Sequence, residues 1–346
     1  MALSVVAACG TGDDPPEGAA RSGELSKSVV KVLGTPQAYD APVLLAQELG
    51  YFDEVGLSVT FDTSAGGADL LPALLGRSAD FVLPSVSVPL NAATEGAPVR
   101  VVATLGHATE LQMVIRADVA KAKNIPTDDA DAQLKALRGS GLRIAVSAPG
   151  GGVYTQTQGL LEARGLTVDR DVTLVPHPTP DAELAAFNNN QVDAFVWVPA
   201  AIFAVDDADV VRVRYAQLPE YQGMDFITLV TTSQVTQTNP DTVRAFLTGL
   251  AKGWQYTLDN PDEAKRLVGK KFFPQLAPEV LDKVFQSAYD NLGPTFALTR
   301  GGFDKGVALA NLGRPQPIDV SYENFVDNTF ANEAIKTLGL DVPTGD

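Results

Sequence analysis

Apolar positions along the chain alternate between two periods. Val29-Val30-Lys31-Val32-Leu33 is a β-branched run ended by Gly34, which predicts a strand. Residues 41–52 carry Leu44, Leu45 and Leu49 at helical spacing, and Gly50-Tyr51-Phe52 closes the helix they predict. Strands over 57–61, 80–83 and 99–105 alternate with helices over 68–75 and 88–95, which stop at Gly76 and Gly96. A polar stretch over 117–130 interrupts this order. It restarts with strands over 142–146, 172–175, 192–196 and 210–213, and helices over 154–164, 181–187 and 200–205. Such alternation with short links predicts an α/β architecture, with mostly parallel, doubly wound sheets. From Pro240 the pattern is helical almost throughout. Val243, Phe246, Leu247, Leu250, Trp254 and Leu258 share one face, and Asn239-Pro240-Asp241, Asn260-Pro261-Asp262 and Ala277-Pro278-Glu279 open three helices.

The two halves echo each other. Gly76-Arg77-Ser78-Ala79-Asp80-Phe81 leads to Pro84, and Asn190-Gln191-Val192-Asp193-Ala194-Phe195 leads to Pro199. In each, a turn residue ends a helix, an Asp follows, and a strand runs into a Pro-bearing loop. Two similar lobes are the natural inference, and 346 residues suffice for two domains.

Composition narrows the class. With 45% hydrophobic and 20% charged residues the chain is globular. No apolar run reaches the roughly 18 residues of a membrane helix. The net charge of −16 excludes the basic face that nucleic-acid binding requires. Acidity of this kind serves solubility, and it obliges an anionic solute to bind through local dipoles. The one cysteine is Cys9, so disulfides and Cys-based metal sites are excluded for the folded body. His107 and His177 sit in unrelated segments, so no metal or cofactor is expected.

Val6-Ala7-Ala8-Cys9-Gly10 resembles a bacterial lipobox, which makes Cys9 a lipidation candidate. Only eight residues precede Cys9, and Met1-Ala2-Leu3 has no positive n-region, so the signal reads as cut short. Residues 10–27 are nearly devoid of apolar content and read as a flexible tether. Residues 1–27 are therefore expected to be signal remnant, lipobox and tether.

Longer stretches carry a family resemblance. Leu74-Leu75-Gly76-Arg77-Ser78-Ala79-Asp80-Phe81-Val82, followed by 92–103, resembles the nitrate/sulfonate/taurine family of periplasmic solute-binding proteins, which also includes binders of thiamine-pyrimidine precursors. Gly50-Tyr51-Phe52 with Gly56-Leu57, the run 137–146, and Ala185-Ala186-Phe187 with Gln191-Val192-Asp193-Ala194 match its other segments in order. The resemblance covers roughly residues 28–310. It implies a two-lobed (type II) periplasmic binding fold with two crossing strands and a ligand in the cleft. Lobe one would be 28–115 plus 225–346 and lobe two 116–224, with crossings near 111–115 and 225–230. It further implies a small-molecule ligand, an ABC permease as partner, membrane contact through the lipid anchor only, a monomer, and a place on the extracytoplasmic face of the cell membrane.

In open parallel sheets ligands bind beyond the carboxyl ends of the strands. That rule selects the loops 35–40, 63–67, 84–87, 106–108, 147–154 and 197–199. Ser64, Gly66 and Gly67, and likewise Gly151 and Gly152, precede helices, where backbone N–H groups and the helix dipole suit a carboxylate or sulfonate; a plain flexible turn is the alternative. Gln37, Ser85 and Ser87 supply polar groups. Tyr39, Tyr154, Trp197 and Phe226 can stack on a flat ligand or can be packing residues. Asp225 can accept from a ligand N–H or be a solvated hinge residue, and His107 is a ligand contact or a rim residue. No Arg or Lys falls in these loops, which argues against simple inorganic anions and for an organic solute: a sulfonate, a taurine-like compound or an aromatic heterocycle.

An enzyme of the fungal pyrimidine-synthase type would need a Cys-rich motif that this body lacks, and no G-x-S-x-G nucleophile elbow occurs. A lobe protein that reports ligand to a membrane receptor is the other alternative, which the chain itself does not distinguish from a transport component.

Overall fold

The computed structural model describes residues 25–64, 67–197, 199–314 and 316–340. The lipobox at Cys9 and Gly66 of the Gly-rich loop lie outside them. The first half builds β1 (Val29–Gly34), α1 (Ala41–Glu48), β2 (Ser58–Thr63), α2 (Leu70–Leu75), β3 (Phe81–Val82), α3 (Ser87–Thr94) and β4 (Val99–Gly106). The second builds β5 (Gln112–Arg116), α4 (Ala117–Ala122), α5 (Ala130–Lys135), β6 (Leu142–Ser147), α6 (Gly152–Ala163), β7 (Val172–His177), α7 (Pro180–Asn188), β8 (Ala194–Trp197), α8 (Pro199–Ile202) and β9 (Val210–Arg214). The chain then returns through β10 (Ile227–Thr232) to a helical run: α9 (Ser233–Thr238), α10 (Pro240–Asp259), α11 (Pro261–Phe272), α12 (Pro278–Asp290), α13 (Arg300–Ala310), α14 (Tyr322–Phe325) and α15 (Thr329–Thr337).

These strands form two five-stranded sheets, β2-β1-β3-β10-β4 and β7-β6-β8-β5-β9. One strand in each is reversed. β10 runs antiparallel to β3 and β4, and β5 antiparallel to β8 and β9, while β1 pairs in parallel with β2 and β3, and β6 with β7 and β8. The reversed strand is the first that the chain enters after crossing from the other sheet. It arrives at the edge where its neighbours end, so it must run the other way.

The crossing segments lie side by side. Phe226 N–H donates to Gly106 O at 2.6 Å, and Tyr215 N–H donates to Leu111 O at 3.1 Å. The polar stretch read as an interruption holds α4 and the start of α5. Asp129 caps α5, accepting from Asp131 N and Ala132 N at 3.0 Å each, a cap strong enough to start a helix of only six residues. The helix expected over 154–164 starts two residues earlier, at Gly152.

The internal echo has a structural cause. Asp80 accepts from Lys31 N at 2.9 Å while its own N–H donates to Lys31 O at 2.8 Å. Asp193 repeats this with Arg143, at 2.9 and 2.8 Å. Each Asp thus locks the entry of its strand to the neighbouring strand. The left-handed residue three places before it is Asn190 (φ 59°) in the second half and Arg77 (φ 61°), not Gly76, in the first.

The first core centres on α10. Phe246 stacks against Phe52 and Phe81 with ring centroids 4.9 and 4.4 Å apart. Trp254 is fully buried beside Phe296. Burying a side chain of this size contributes about 2–3 kcal/mol. α10 lies so close to α1 that any Cβ at Gly253 would overlap Pro42 O, so glycine is required there.

Candidate functional site

The carboxyl ends of β1 and β3 in the first sheet face those of β6 and β8 in the second. Between them lies a cavity of about 60 Å³. Thr35 and Gln37 approach it from the loop after β1, Pro84 and Ser85 from the loop after β3, Ser147 and Trp197 from the ends of β6 and β8, and Gly151, Gly152, Val153 and Gln156 from the start of α6. Leu83, Leu111, Phe226 and Ile227 supply apolar wall. None of the lining side chains is ionisable, among the described residues. A hollow of about 290 Å³ beside Lys27, Arg77 and Thr232 lies at the opposite edge of the first sheet, remote from these strand ends.

Two features give the cavity its chemistry. The first is the N-terminus of α6. Gly151 brings no side-chain cap, and Ser147 Oγ accepts the Tyr154 N–H at 3.1 Å. The helix therefore presents its positive end to the cavity, an environment that favours an anionic or strongly accepting group. The second is a bridge between the halves. Gln156 Nε2 donates to Ser85 Oγ at 3.3 Å and to Ser87 Oγ at 3.2 Å, and Gln156 Oε1 accepts from Tyr221 OH at 2.9 Å. With only 2% exposure Gln156 is a fixed polar strut, held from behind by Tyr221.

Among the residues singled out from the sequence, the structure brings Gln37, Gly67, Ser85, Gly151, Gly152, Trp197 and Phe226 to the cavity. Ser87 stands just behind Ser85, within reach of Gln156. Tyr154 packs partly buried on α6 with its N–H on Ser147. Ser64 hydrogen-bonds Asp69 at the end of β2, away from the cavity. Tyr39 is buried in the core, its OH donating to Ala108 O at 3.1 Å. His107 and Asp225 are engaged with each other: Nδ1 and Oδ1 lie 2.5 Å apart. His107 Nε2 sits 2.8 Å from Thr295 O, and Asp225 Oδ2 accepts from Thr299 N and Oγ1. The pair ties both crossing segments to the 295–299 loop.

The sequence reading missed Gln156, while Thr35 and Ser147 fall in loops that the strand-end rule selects without being singled out there. Gln156 had a signal. The buried residues of α6 are Gln156, Thr157, Gly159, Leu160 and Leu161, and two polar residues stand where helical periodicity asks for apolar ones.

Glu110 in the first crossing segment, Asp40 before α1 and Glu183 on α7 are buried acids. Burial raises the pKa of Glu110 to about 7, Asp290 adds to the rise, and hydrogen bonds from Ser287 and Tyr39 oppose it. Burial likewise pushes Asp40 and Glu183 well up; Asp40 Oδ2 and both Glu183 oxygens have no partner among the described residues. For His107 burial disfavours the charge, but the hydrogen bond and charge of Asp225, with Thr295 O, outweigh it and raise the pKa. A raised folded-state pKa gives stability that is complete below the unfolded value and is lost as pH rises through the folded one. For Glu110 that window runs from about 4.5 to about 7 and is worth about 3 kcal/mol. We expect urea-unfolding stability to fall from pH 5 to pH 8, with Asp40, Glu183 and His107 contributing in the same direction, and Glu110→Gln to make the slope shallower by its own share. An unchanged slope in that variant would exclude Glu110 as its source.

Comparison with known proteins places this geometry. The family described as NMT1/THI5 like matches residues 37–264. No curated protein matches the chain by sequence. Among solved structures, a protein from Bordetella bronchiseptica RB50 superposes with a TM-score of 0.78 at 21% identity, covering 91% of this chain and 99% of that one. The periplasmic nitrate-binding protein NrtA from Synechocystis PCC 6803 gives 0.70 at 15% identity, covering 93% and 92%. The periplasmic aliphatic sulphonate binding protein SsuA from Escherichia coli gives 0.63 at 17%, covering 85% and 96%. At these identities the likeness establishes the fold, which is that of periplasmic binding proteins.

Proposed function

We propose that this chain, which belongs to the NMT1/THI5-like family, is the solute-binding component of an ABC-type importer. It acts outside the cytoplasm, anchored through a lipid on Cys9, as a monomer that delivers solute to a permease. It captures a small organic solute between lobe one (28–115 plus 225–346) and lobe two (116–224) and performs no chemistry on it. The observation that carries this reading is Gln156: a buried amide on one sheet's helix reaches across a cavity to Ser85 and Ser87 beside the other sheet. A contact of that kind forms only when the halves close, so a solute that bridges them stabilises the closed state by its added contacts.

In this reading Gly151, Gly152 and Gly67 offer backbone, Gln37, Ser85 and Ser87 offer hydrogen bonds, and Trp197 with Phe226 supplies apolar contact. A sulfonate, a taurine-like compound or an aromatic heterocycle suits a site whose dipoles favour an anion without a fixed cation. A thermal-shift screen over sulfonates, taurine, aromatic carboxylates and pyrimidines tests it, because a ligand of the folded state raises the melting temperature. Trp197→Ala should weaken the best hit by more than about tenfold in calorimetry. A panel without a single stabilising compound would count against solute binding, and an unaltered affinity would remove Trp197 from the site.

A further inference from the structure

The side of α6 that meets Ser85 and Ser87 continues beyond the cavity. Gly152, Gln156 and Gly159 are spaced by four and three residues, which sets them on one line along the helix. Each of the three meets the half that holds the first sheet. A Cβ at Gly159 would lie 3.0 Å from Leu312 O and 3.2 Å from Leu312 Cβ. One turn further, a Cβ at Gly313 would overlap Glu162 Oε2 and lie 2.8 Å from Glu162 Cβ. Leu312 and Gly313 follow α13, and α13 and α3 pack against each other and against α6. Gly159 stands about 10 Å from Gly152 along the helix axis, and neither Gly159 nor Leu312 nor Gly313 lines the inner cavity. The seat is partial. A hollow of about 290 Å³ remains beside it, between Gln158 and Glu162 on α6 and Arg314 and Gln316 after α13. Contact is confined to points where a glycine on one side admits the other, and a seat of that kind can be left and retaken.

We propose that this seat is a latch: contact of α6 with the Leu312-Gly313 turn sets the affinity for solute from outside the solute site. The proposal rests on the solute-binding reading and extends it to residues remote from the cavity. A helix of this length is a stiff rod, so Gly152, Gln156 and Gly159 reach the first half together or not at all. Bulk at position 159 therefore lifts Gly152 from Ser85 and Gln156 from Ser87 as well. The free energy of the latch belongs to the closed form whichever solute is present, and apparent affinity scales with the fraction of molecules that can close. Weakening the latch lowers every affinity by one common factor. A residue inside the cavity acts otherwise, because it touches different solutes differently.

Two measurements on the full chain test this. The first needs no solute. Gly159→Cys with Leu312→Cys, in a chain whose one cysteine is changed by Cys9→Ser, puts Cβ atoms 3.2 Å apart, near the usual disulfide spacing of about 3.8 Å. Mild oxidation should crosslink the pair and reduce the radius of gyration in small-angle scattering, and reduction should restore it. No crosslink, or one that leaves the radius unchanged, would overturn the latch. The second measurement is calorimetry over the panel of sulfonates, taurine, aromatic carboxylates and pyrimidines. Gly159→Val should lower the affinity of every binder by the same factor, at least about tenfold, with the rank order kept. Gly159→Ala, which favours the helix it sits in, should act in the same direction by about threefold, and it guards against a valine variant that fails to fold. Unchanged affinities in a folded variant, or a changed rank order, would overturn the latch and leave the solute-binding reading standing. A panel in which nothing binds would count against that reading alone, and the crosslink would still decide on the latch.

Discussion

Gly152→Val should hold the two halves apart and abolish solute capture. A Cβ at position 152 would overlap Ser85 Oγ and would lie 3.2 Å from Ser85 Cβ and 3.3 Å from Gln156 Nε2. Turning the serine hydroxyl away relieves the first contact but not the other two. The second methyl-bearing branch of valine adds further bulk at the point where the halves meet. The two nearest contacts are with Ser85 in the opposite half of the molecule, and Gln156 on α6 itself meets the new Cβ only with the end of a flexible side chain, so each half can still fold. The cost to α6 itself is that of a β-branched residue in its first turn, about 0.5 kcal/mol. We therefore expect a stability change under about 1 kcal/mol, together with a loss of affinity of about hundredfold or more. Small-angle scattering should show the variant keeping its solute-free radius of gyration at solute concentrations that compact the wild type. Compaction of the variant equal to that of the wild type would mean that Gly152 and Ser85 do not meet on closure.

Asp225→Ala should produce the largest loss of stability. This carboxylate is 2% exposed and serves three donors: His107 Nδ1, Thr299 N and Thr299 Oγ1. Removing it leaves a half-buried imidazole, favoured in its charged form by that same carboxylate, with only Thr295 O as partner, and the Thr299 backbone N–H without its acceptor. Breaking a buried pair on one side costs about 3 kcal/mol or more. Asp225→Asn keeps an acceptor for Thr299 but removes the charge that His107 faces, so its loss should be smaller. Burial also shields the pair from counterions, and the difference between Asp225→Ala and the wild type should change little between low and high salt. Denaturant unfolding at pH 6.5 measures both variants. A loss under about 1 kcal/mol for Asp225→Ala would show that the pair contributes little.

Much of the fold is legible in the sequence because its causes are local. Strand and helix order follows from period, and the halves announce themselves through Asp80 and Asp193, whose two-point pairing with Lys31 and Arg143 explains why the same short pattern recurs. The strand-end rule leads to Gln37, Ser85, Gly151, Gly152 and Trp197 because a loop's position at a sheet end depends only on that loop's own flanks. Other features arise between distant segments and leave no local trace. His107 and Asp225 stand 118 residues apart, and only the meeting of the two crossings makes them a pair rather than two free cleft groups. Gln156 becomes a strut only when Ser85, 71 residues earlier, is brought before it. Tyr39 sits in a cleft loop by sequence, yet its ring turns inward beneath Gly106, where the close approach of that backbone receives it.

The laced crossings have a mechanical consequence. Gly106 with Phe226, and Leu111 with Tyr215, join two straps near both ends. A pair of straps joined in this way bends readily across its width and resists torsion along its length. In the closure proposed above, relative movement of the halves would thereby be reduced to nearly one degree of freedom, a swing without a twist. Each such swing would present the same atoms to one another, Gly152 to Ser85 and Gln156 to Ser87, so the registry of the proposed closed form would be inherited from the backbone instead of being searched for by a solute.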